Sequence, residues 1–394
     1  MIAFLAAVAI QQSTVVEMLD ETASVATIQA VIKVPHLDLR QRNIVQIMVG
    51  ALGEDTKSYS KAQIADVAGR VGSRVRASLS PDHIRIGFSV VPADEAIGIS
   101  MMGSILKDGR FEDSVLERVA DDLTFRRRSY WRSAVEGSRF EKPKYSIKEF
   151  DDLAAAIFRP ENITIGVGGK IEPGVASRKW EEWTSDWKAP KLPRLDYRSE
   201  AAGKSADSPR LSVIEFVGDS FPSRDAAFST RLLALTAIGT GKSAALWEVS
   251  REDLGLSYRQ ESMLSPSPDG FFPRVIVATS HKDDLPEQSE KLCAALIAKV
   301  ERWTDTDRKR AMGMAEAYLI HGSDMSPLYF SQSWPITNGL EDEVFVRAYW
   351  RLKTGENWNP YQLLGRMGFV ELKDLQETAL RFLKNAKIRL HKGG

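Results

Sequence analysis

Five histidines and one cysteine are the chain's whole supply of imidazole and thiol in 394 residues. The histidines are His36, His83, His281, His321 and His391, and the nearest pair, His281 and His321, is 40 residues apart. Closely spaced imidazoles on one helix, the usual core of a hydrolytic zinc centre, are absent from the sequence. Cys293 has no second thiol for an intrachain disulfide or a Cys-rich zinc module. It falls on the apolar side of a helix expected over Glu287–Trp303, which reads as a small buried hydrophobe. Gly239-Thr240-Gly241-Lys242-Ser243 looks like the end of a phosphate-binding loop. That loop needs a glycine five residues before Gly241, where Thr236 stands, and a strand before it, where the pattern reads as helix. A glycine-rich helix-to-helix turn, with Ser243 capping the next helix, fits better. Arg126, Arg127, Arg128 and Arg132 flank Tyr130 and Trp131, but 53 basic residues balance 53 acidic ones. A nucleic-acid binder relying on a broad basic field is excluded, so this patch reads as a solvated face or a subunit contact.

The elements that must position any chemistry come in two sets. At 43% apolar and 27% charged the composition is globular, and the length predicts two to four domains. Pro190, Pro193 and Pro209 punctuate a stretch without apolar periodicity, expected as a linker over 188–210 between modules at 14–187 and 211–394. The halves echo each other. FDDLAAAIF leads through RPEN to ITIGVGG, and LKDLQETALRFL leads through KNAK to IRLHKGG. Both read as an amphipathic helix, a turn and a strand ending in Gly-Gly. A second echo pairs Ile64, Val67 and Gly72 with Leu246, Val249 and Gly255, helices stopped by glycine. Ile84, Ile86, Phe88 and Val90 alternate as a strand with one buried face, and Val115, Leu116, Val119 and Leu123 recur as a helix. The layout predicts an α+β fold of two homologous modules, each a mostly antiparallel sheet with helices packed on one face. Trp180, Trp183 and Trp187 have helical spacing and are expected to pack the end of the first module.

Residues 1–13 are expected as a leader. MIAFLAAVAI is too short to span a bilayer. It resembles the apolar region of a secretory signal without the basic start, and fits a first strand as well. Export to the periplasm or beyond follows from the first reading and a cytoplasmic protein from the second. No run is apolar for long enough to cross a membrane, and the C-terminal HKGG carries no lipidation motif.

The glycine-rich turn continues as Leu246-Trp247-Glu248-Val249-Ser250-Arg251-Glu252-Asp253-Leu254-Gly255-Leu256-Ser257-Tyr258. This resembles the second-half signature of the M16 metallopeptidase family (pitrilysin, processing-peptidase and insulinase relatives). There a glycine-rich turn precedes Ser, Leu, an Arg-Glu pair and Gly-Leu-x-Tyr. The phrase Arg159-Pro160-Glu161-Asn162-Ile163-Thr164-Ile165-Gly166-Val167-Gly168-Gly169 resembles the strand that closes each module of that family. The resemblance implies a two-module member covering nearly the whole chain after the leader.

The resemblance also implies where zinc should sit: on an inverted His-x-x-Glu-His motif in an early helix, with a downstream glutamate as third ligand. The best match here is Asn43-Ile44-Val45-Gln46-Ile47, in which Asn43 and Ile47 replace the histidines and Gln46 the general base. An alkyl side chain cannot bind zinc, and an amide cannot take a proton at neutral pH. Glu117, Asp121 and Asp122 on the downstream helix then read as a solvated face. The resemblance accordingly implies a chain without cofactor, its zinc held by a partner subunit with an intact motif. In two-chain members the zinc-less subunit supplies an Arg and a Tyr that bind substrate, positions occupied here by Arg251 and Tyr258 beside Gly239 and Gly241. The plainer reading pairs Arg251 with a neighbouring acid and packs Tyr258 in the sheet. The expectation is an inactive subunit binding a peptide substrate beside a zinc-bearing partner, or pairing with a second copy of itself. The alternatives are a non-enzymatic peptide-binding or assembly module of the same fold and, third, an autonomous zinc peptidase with atypical ligands.

Overall fold

β-Branched and aliphatic residues at every second position build two sheets. The computed structural model describes residues 14–109, 111–125, 140–187, 211–257, 259–281, 283–320 and 339–393. The expected leader, the linker 188–210, the basic patch at 126–132, His321 and Tyr258 lie outside the described residues. The strands are β1 (Val15–Leu19), β2 (Ala26–Lys33), β3 (Arg76–Leu79), β4 (His83–Val90), β5 (Ile163–Gly169), β6 (Ser212–Val217), β7 (Arg259–Ser267), β8 (Gly270–Thr279) and β9 (Lys387–His391). The helices of the first half are α1 (Leu39–Ala51), α2 (Lys61–Gly69), α3 (Glu95–Lys107), α4 (Asp113–Phe125), α5 (Ile147–Ile157) and α6 (Val175–Thr184). Those of the second are α7 (Phe228–Gly239), α8 (Ala245–Trp247), α9 (Leu285–Glu301), α10 (Asp305–Leu319), α11 (Leu340–Thr354), α12 (Pro360–Gly368) and α13 (Leu372–Asn385).

The first sheet has the order β1-β5-β2-β4-β3 and the second β7-β8-β6-β9. Apart from β1, which runs parallel to β5, all pairs are antiparallel. Read outward from β5 and from β9, the orders coincide: β5-β2-β4-β3 against β9-β6-β8-β7. Mixed α+β architecture with two antiparallel-rich sheets is what the sequence periods predict. The helix–turn–strand echo is realised as α5–β5 and α13–β9, and the glycine stops as left-handed Gly72 (φ 69°) and Gly255 (φ 59°). Trp180 is buried at the end of the first core and meets Trp187 edge to face at 6.4 Å. Cys293 is half-buried against the second core, and burial pushes its thiol up.

One element crosses between the halves. Ile28, Ala30 and Ile32 of β2 face the core under α1, α3 and α5, while Val31 belongs to the cluster of Phe345, Ala348 and Tyr349 on α11. A second-half helix thus lies on the opposite face of the first sheet. Its close approach requires bare backbone: a Cβ on Gly168 would come within 2.2 Å of Val344, and one on Gly166 within 2.9 Å. Burial of β4 on both faces, where alternation predicts one, has the same cause. The face is polar. Arg85 is fully buried, donates to Asp342 (2.8 Å) and Gln29 (3.1 Å), and lies 4.2 Å from the ring centre of Phe345. Gln29 donates to Glu341 at 3.2 Å, and Arg76 pairs with the same carboxylate. Asp82 accepts from Lys353 (2.7 Å) and Tyr349 (3.0 Å) on α11 and is bonded to His83 Nδ1 at 2.7 Å. Lys353 also donates to the Ser267 carbonyl at the β7–β8 turn.

Burial alone would raise the Asp82 carboxyl, but the His83 ring and the Lys353 ammonium outweigh it and hold the group below its usual range. Burial draws the Arg85 guanidinium down to about 10 against the pull of Asp342, so it stays charged at neutral pH. Removing one member of such a pair strands the other charge in the interior. Arg85→Met should cost about 3–5 kcal/mol in chemical denaturation, with Arg85→Met/Asp342→Leu recovering much of it. Because the folded pKa of Asp82 is depressed, its stabilising contribution is present at neutral pH and lost as pH falls through that pKa. Asp82→Asn should therefore unfold at lower denaturant at pH 7, with the gap to wild type closing below roughly pH 4.

Candidate functional site

Asn43, Gln46 and Ile47, which the family resemblance aligns with a zinc motif, lie on α1. Asp38 caps this helix reciprocally with Gln41, its carboxylate accepting from the Gln41 backbone at 2.7 Å and its own N–H donating to the Gln41 side chain at 3.0 Å. Asn43 is 4% exposed, Ile47 fully buried and Gln46 half-buried. A Cβ on Gly50 would come within 2.4 Å of Val119, so α1 lies close against α4. Ile47 sits in the same apolar cluster as Ile44, Met48 and Leu116. These residues do not fit zinc: a helix face that should present two imidazoles presents an amide and a buried alkyl chain. Glu117, Asp121 and Asp122 of α4 are exposed, and Asp121 pairs with Lys142 at 2.9 Å. Among the described residues no group of three or more His, Cys, Asp or Glu side chains is placed to hold a metal ion.

Gly239, Gly241 and Arg251 are brought together on the connection from α7 to β7. Gly239 ends α7 where a Cβ would stand 2.4 Å from Ser262 Oγ, and that hydroxyl donates to the Leu235 carbonyl at 2.7 Å. Gly241 adopts φ 86°, a left-handed conformation that glycine enters without strain. Arg310 of α10 donates to the Ala237 carbonyl (2.7 Å) and to that of Ser243, clamping the turn from outside. The phosphate-loop resemblance thus dissolves into a helix-ending turn. Ser243 is not the expected cap: α8 begins after Ala244 with no side-chain cap. Only Ala245–Trp247 is α-helical, and Glu248–Asp253 winds as a π-helix, a geometry often found at functional sites. Arg251 is half-buried with its guanidinium 4.4 Å from the ring centre of Trp247, and Lys242 Nζ lies 5.8 Å from the same ring. Tyr258, the other half of the expected pair, lies outside the described residues.

The α1 positions and the α7–β7 connection belong to the helix layers of different sheets. The sequence does not single out Arg85, Asp82, Tyr349 or Lys353, and shows His83 only as one of five scattered histidines. Their one local signal is a set of ionisable residues, His83 and Arg85, alternating with the apolar residues of β4. The second sheet repeats that device. Arg274 stands two residues before Ile276, the partner of Glu215, as Arg85 stands two before Gly87, the partner of Gln29. Arg274 Nε donates to the fully buried Glu215 at 2.7 Å. Burial pushes that carboxyl up, but His391 and Arg274 together pull it below its ordinary value. Gly239→Val should cost about 1–3 kcal/mol in thermal or denaturant unfolding, because β7 backbone as well as Ser262 stands in the way.

No protein-family model and no curated protein matches the sequence. Solved structures do match in fold. A protease from Helicobacter pylori superposes with a TM-score of 0.73 at 12% identity, over 94% of this chain and 93% of that one. A peptidase M16 inactive domain from Pseudomonas fluorescens gives 0.71 at 11%, over 95% and 94%. A conserved protein from Enterococcus faecalis gives 0.64 at 12%, over 96% of each. The chain has the fold of these proteins, the inactive M16 domain among them. No helix of the described residues is long and apolar enough to cross a membrane.

Proposed function

We propose that this chain is a catalytically inactive M16-like subunit that pairs with a zinc-bearing partner of the same fold and contributes Arg251 and Tyr258 to peptide binding. The observation that carries this reading is the contrast between two sites. On α1 the zinc positions have become packing residues, Asn43 and Ile47 buried and Gln46 half-buried. On the α7–β7 connection Arg251 stays half-exposed, held against Trp247 in an irregular turn. A planar guanidinium offers paired donors to a substrate carbonyl or carboxylate, and a phenol can donate to an oxyanion as it develops. The linker at 188–210 would join the two modules, and zinc would reside only in the partner. A homodimer is the second form of the same reading.

The fold alone also suits a peptide-binding or assembly module without chemistry, and the packing of Gly239 against Ser262 favours that reading for the glycine turn. Reconstitution separates the two. With a partner carrying an intact His-x-x-Glu-His motif, Arg251→Ala and Tyr258→Phe should each lower kcat/KM about ten- to a hundredfold, the loss expected for one charge-assisted contact to the reacting group. Unchanged activity in both variants leaves the assembly reading. Metal analysis of the isolated chain should find well under one equivalent of zinc, and a stoichiometric, chelator-sensitive peptidase would overturn the inactive reading altogether.

A further inference from the structure

A cavity of about 240 Å³ opens between α7, α13 and the ends of β6 and β8, lined by neither Arg251 nor the α1 positions. Its floor is apolar: Ala234, Leu235 and Ile238 of α7, Pro273 of β8, and Ala379 and Phe382 of α13. Its polar lining carries two guanidinium groups, Arg231 and Arg381, with the single carboxylate of Asp219 and the neutral Ser220, Thr378 and Asn385. Arg231 is fixed rather than free to swing. Its guanidinium lies 4.4 Å from the ring centre of Phe221 and 3.2 Å from Asp225, and its buried Nε has no acceptor among the described residues. Gly218, just past the end of β6, also lines it, and a Cβ there would come within 2.6 Å of Pro273 and 2.9 Å of Phe382.

An apolar pocket with a few convergent polar groups is the usual form of a small-ligand site. We propose that this cavity binds a small amphipathic carboxylate, its apolar body on Leu235, Ile238 and Phe382 and its carboxylate between Arg231 and Arg381. The apolar floor returns the hydrophobic free energy of burying a hydrocarbon group, and a guanidinium fork matches a carboxylate in geometry as well as charge. Two sources carry this chemistry: a free alkyl acid, and the C-terminus of a peptide ending in an apolar residue.

Isothermal titration of the full chain with octanoate and with N-acetyl-Ala-Leu, each beside its neutral amide, tests the site and distinguishes the sources. At least one acid should bind saturably at one site, at least tenfold more tightly than its amide. Binding of octanoate alone assigns a free acid, and binding of the dipeptide alone assigns a peptide terminus. Arg381→Ala, at an exposed position, should weaken the bound acid about tenfold. Ala227→Trp, which fills the mouth from the start of α7, should abolish binding while far-ultraviolet circular dichroism stays that of the wild type. Absence of saturable binding by both acids, equal binding of acid and amide, or affinity unmoved by both substitutions overturns the proposal.

Discussion

A charge taken out of water must find a partner, and in this molecule the partner comes from the other half of the chain. Arg85 of β4 and Asp82, just before that strand, are fully or nearly fully buried, and their counter-charges, Asp342 and Lys353, both ride on α11. The apolar contacts of Val31 and Val344 fix how close the helix lies, and the buried ions fix where along the sheet it stops. Hydrophobic faces tolerate sliding, whereas a buried ion pair has one good register. Gly166 and Gly168 serve the same end by lowering the floor on which α11 rests.

This places stability and candidate function in different parts of the fold. The seam between the halves is charged, with Arg85, Asp82 and Asp342 buried in it. The α7–β7 connection is irregular, half-exposed and held from outside by Arg310. Between them, α1 has been absorbed into the first core. An imidazole at position 47 would have to displace a fully buried alkyl chain, so two histidines placed on this helix would not by themselves make a metal site. The diagonal pairing of Arg85 with Gln29 recurs in the second sheet as Arg274 with Glu215, in the interior rather than in the loops.

Much of this was legible in the sequence, and what was not has a physical reason. Alternation in β4 and the helix–turn–strand echo carry their own periods, so the two-sheet layout could be read directly. That Asn43, Gln46 and Ile47 supply no imidazole or carboxylate was legible because it is a statement about residue types. The crossing of α11 was not. Its docking depends on contacts some 170–260 residues away along the chain, such as Gly168 with Val344 and Arg85 with Asp342. No local pattern encodes a partner at that distance. Ser243 is not the cap because a turn at left-handed Gly241, closed by the Ala244 N–H donating to the Gly241 carbonyl at 3.2 Å, carries the chain one residue further before the helix starts, and no hydroxyl pattern encodes that. Arg85 and His83 looked like the wet side of a half-buried strand, since alternation cannot tell a solvated face from a polar buried one.

The crossing of α11 also sets an order of events during biosynthesis. The first sheet has all its strands once Gly169 is made, but the helix that shields its charged face ends only at Thr354. At roughly 5–20 residues per second the ribosome leaves that face uncovered for about 10–40 s. Through that interval the nascent N-terminal half carries Arg85 without Asp342, Asp82 without Lys353, and bare glycine backbone along β5. Its final packing is therefore a late event, completed after most of the polypeptide has left the ribosome.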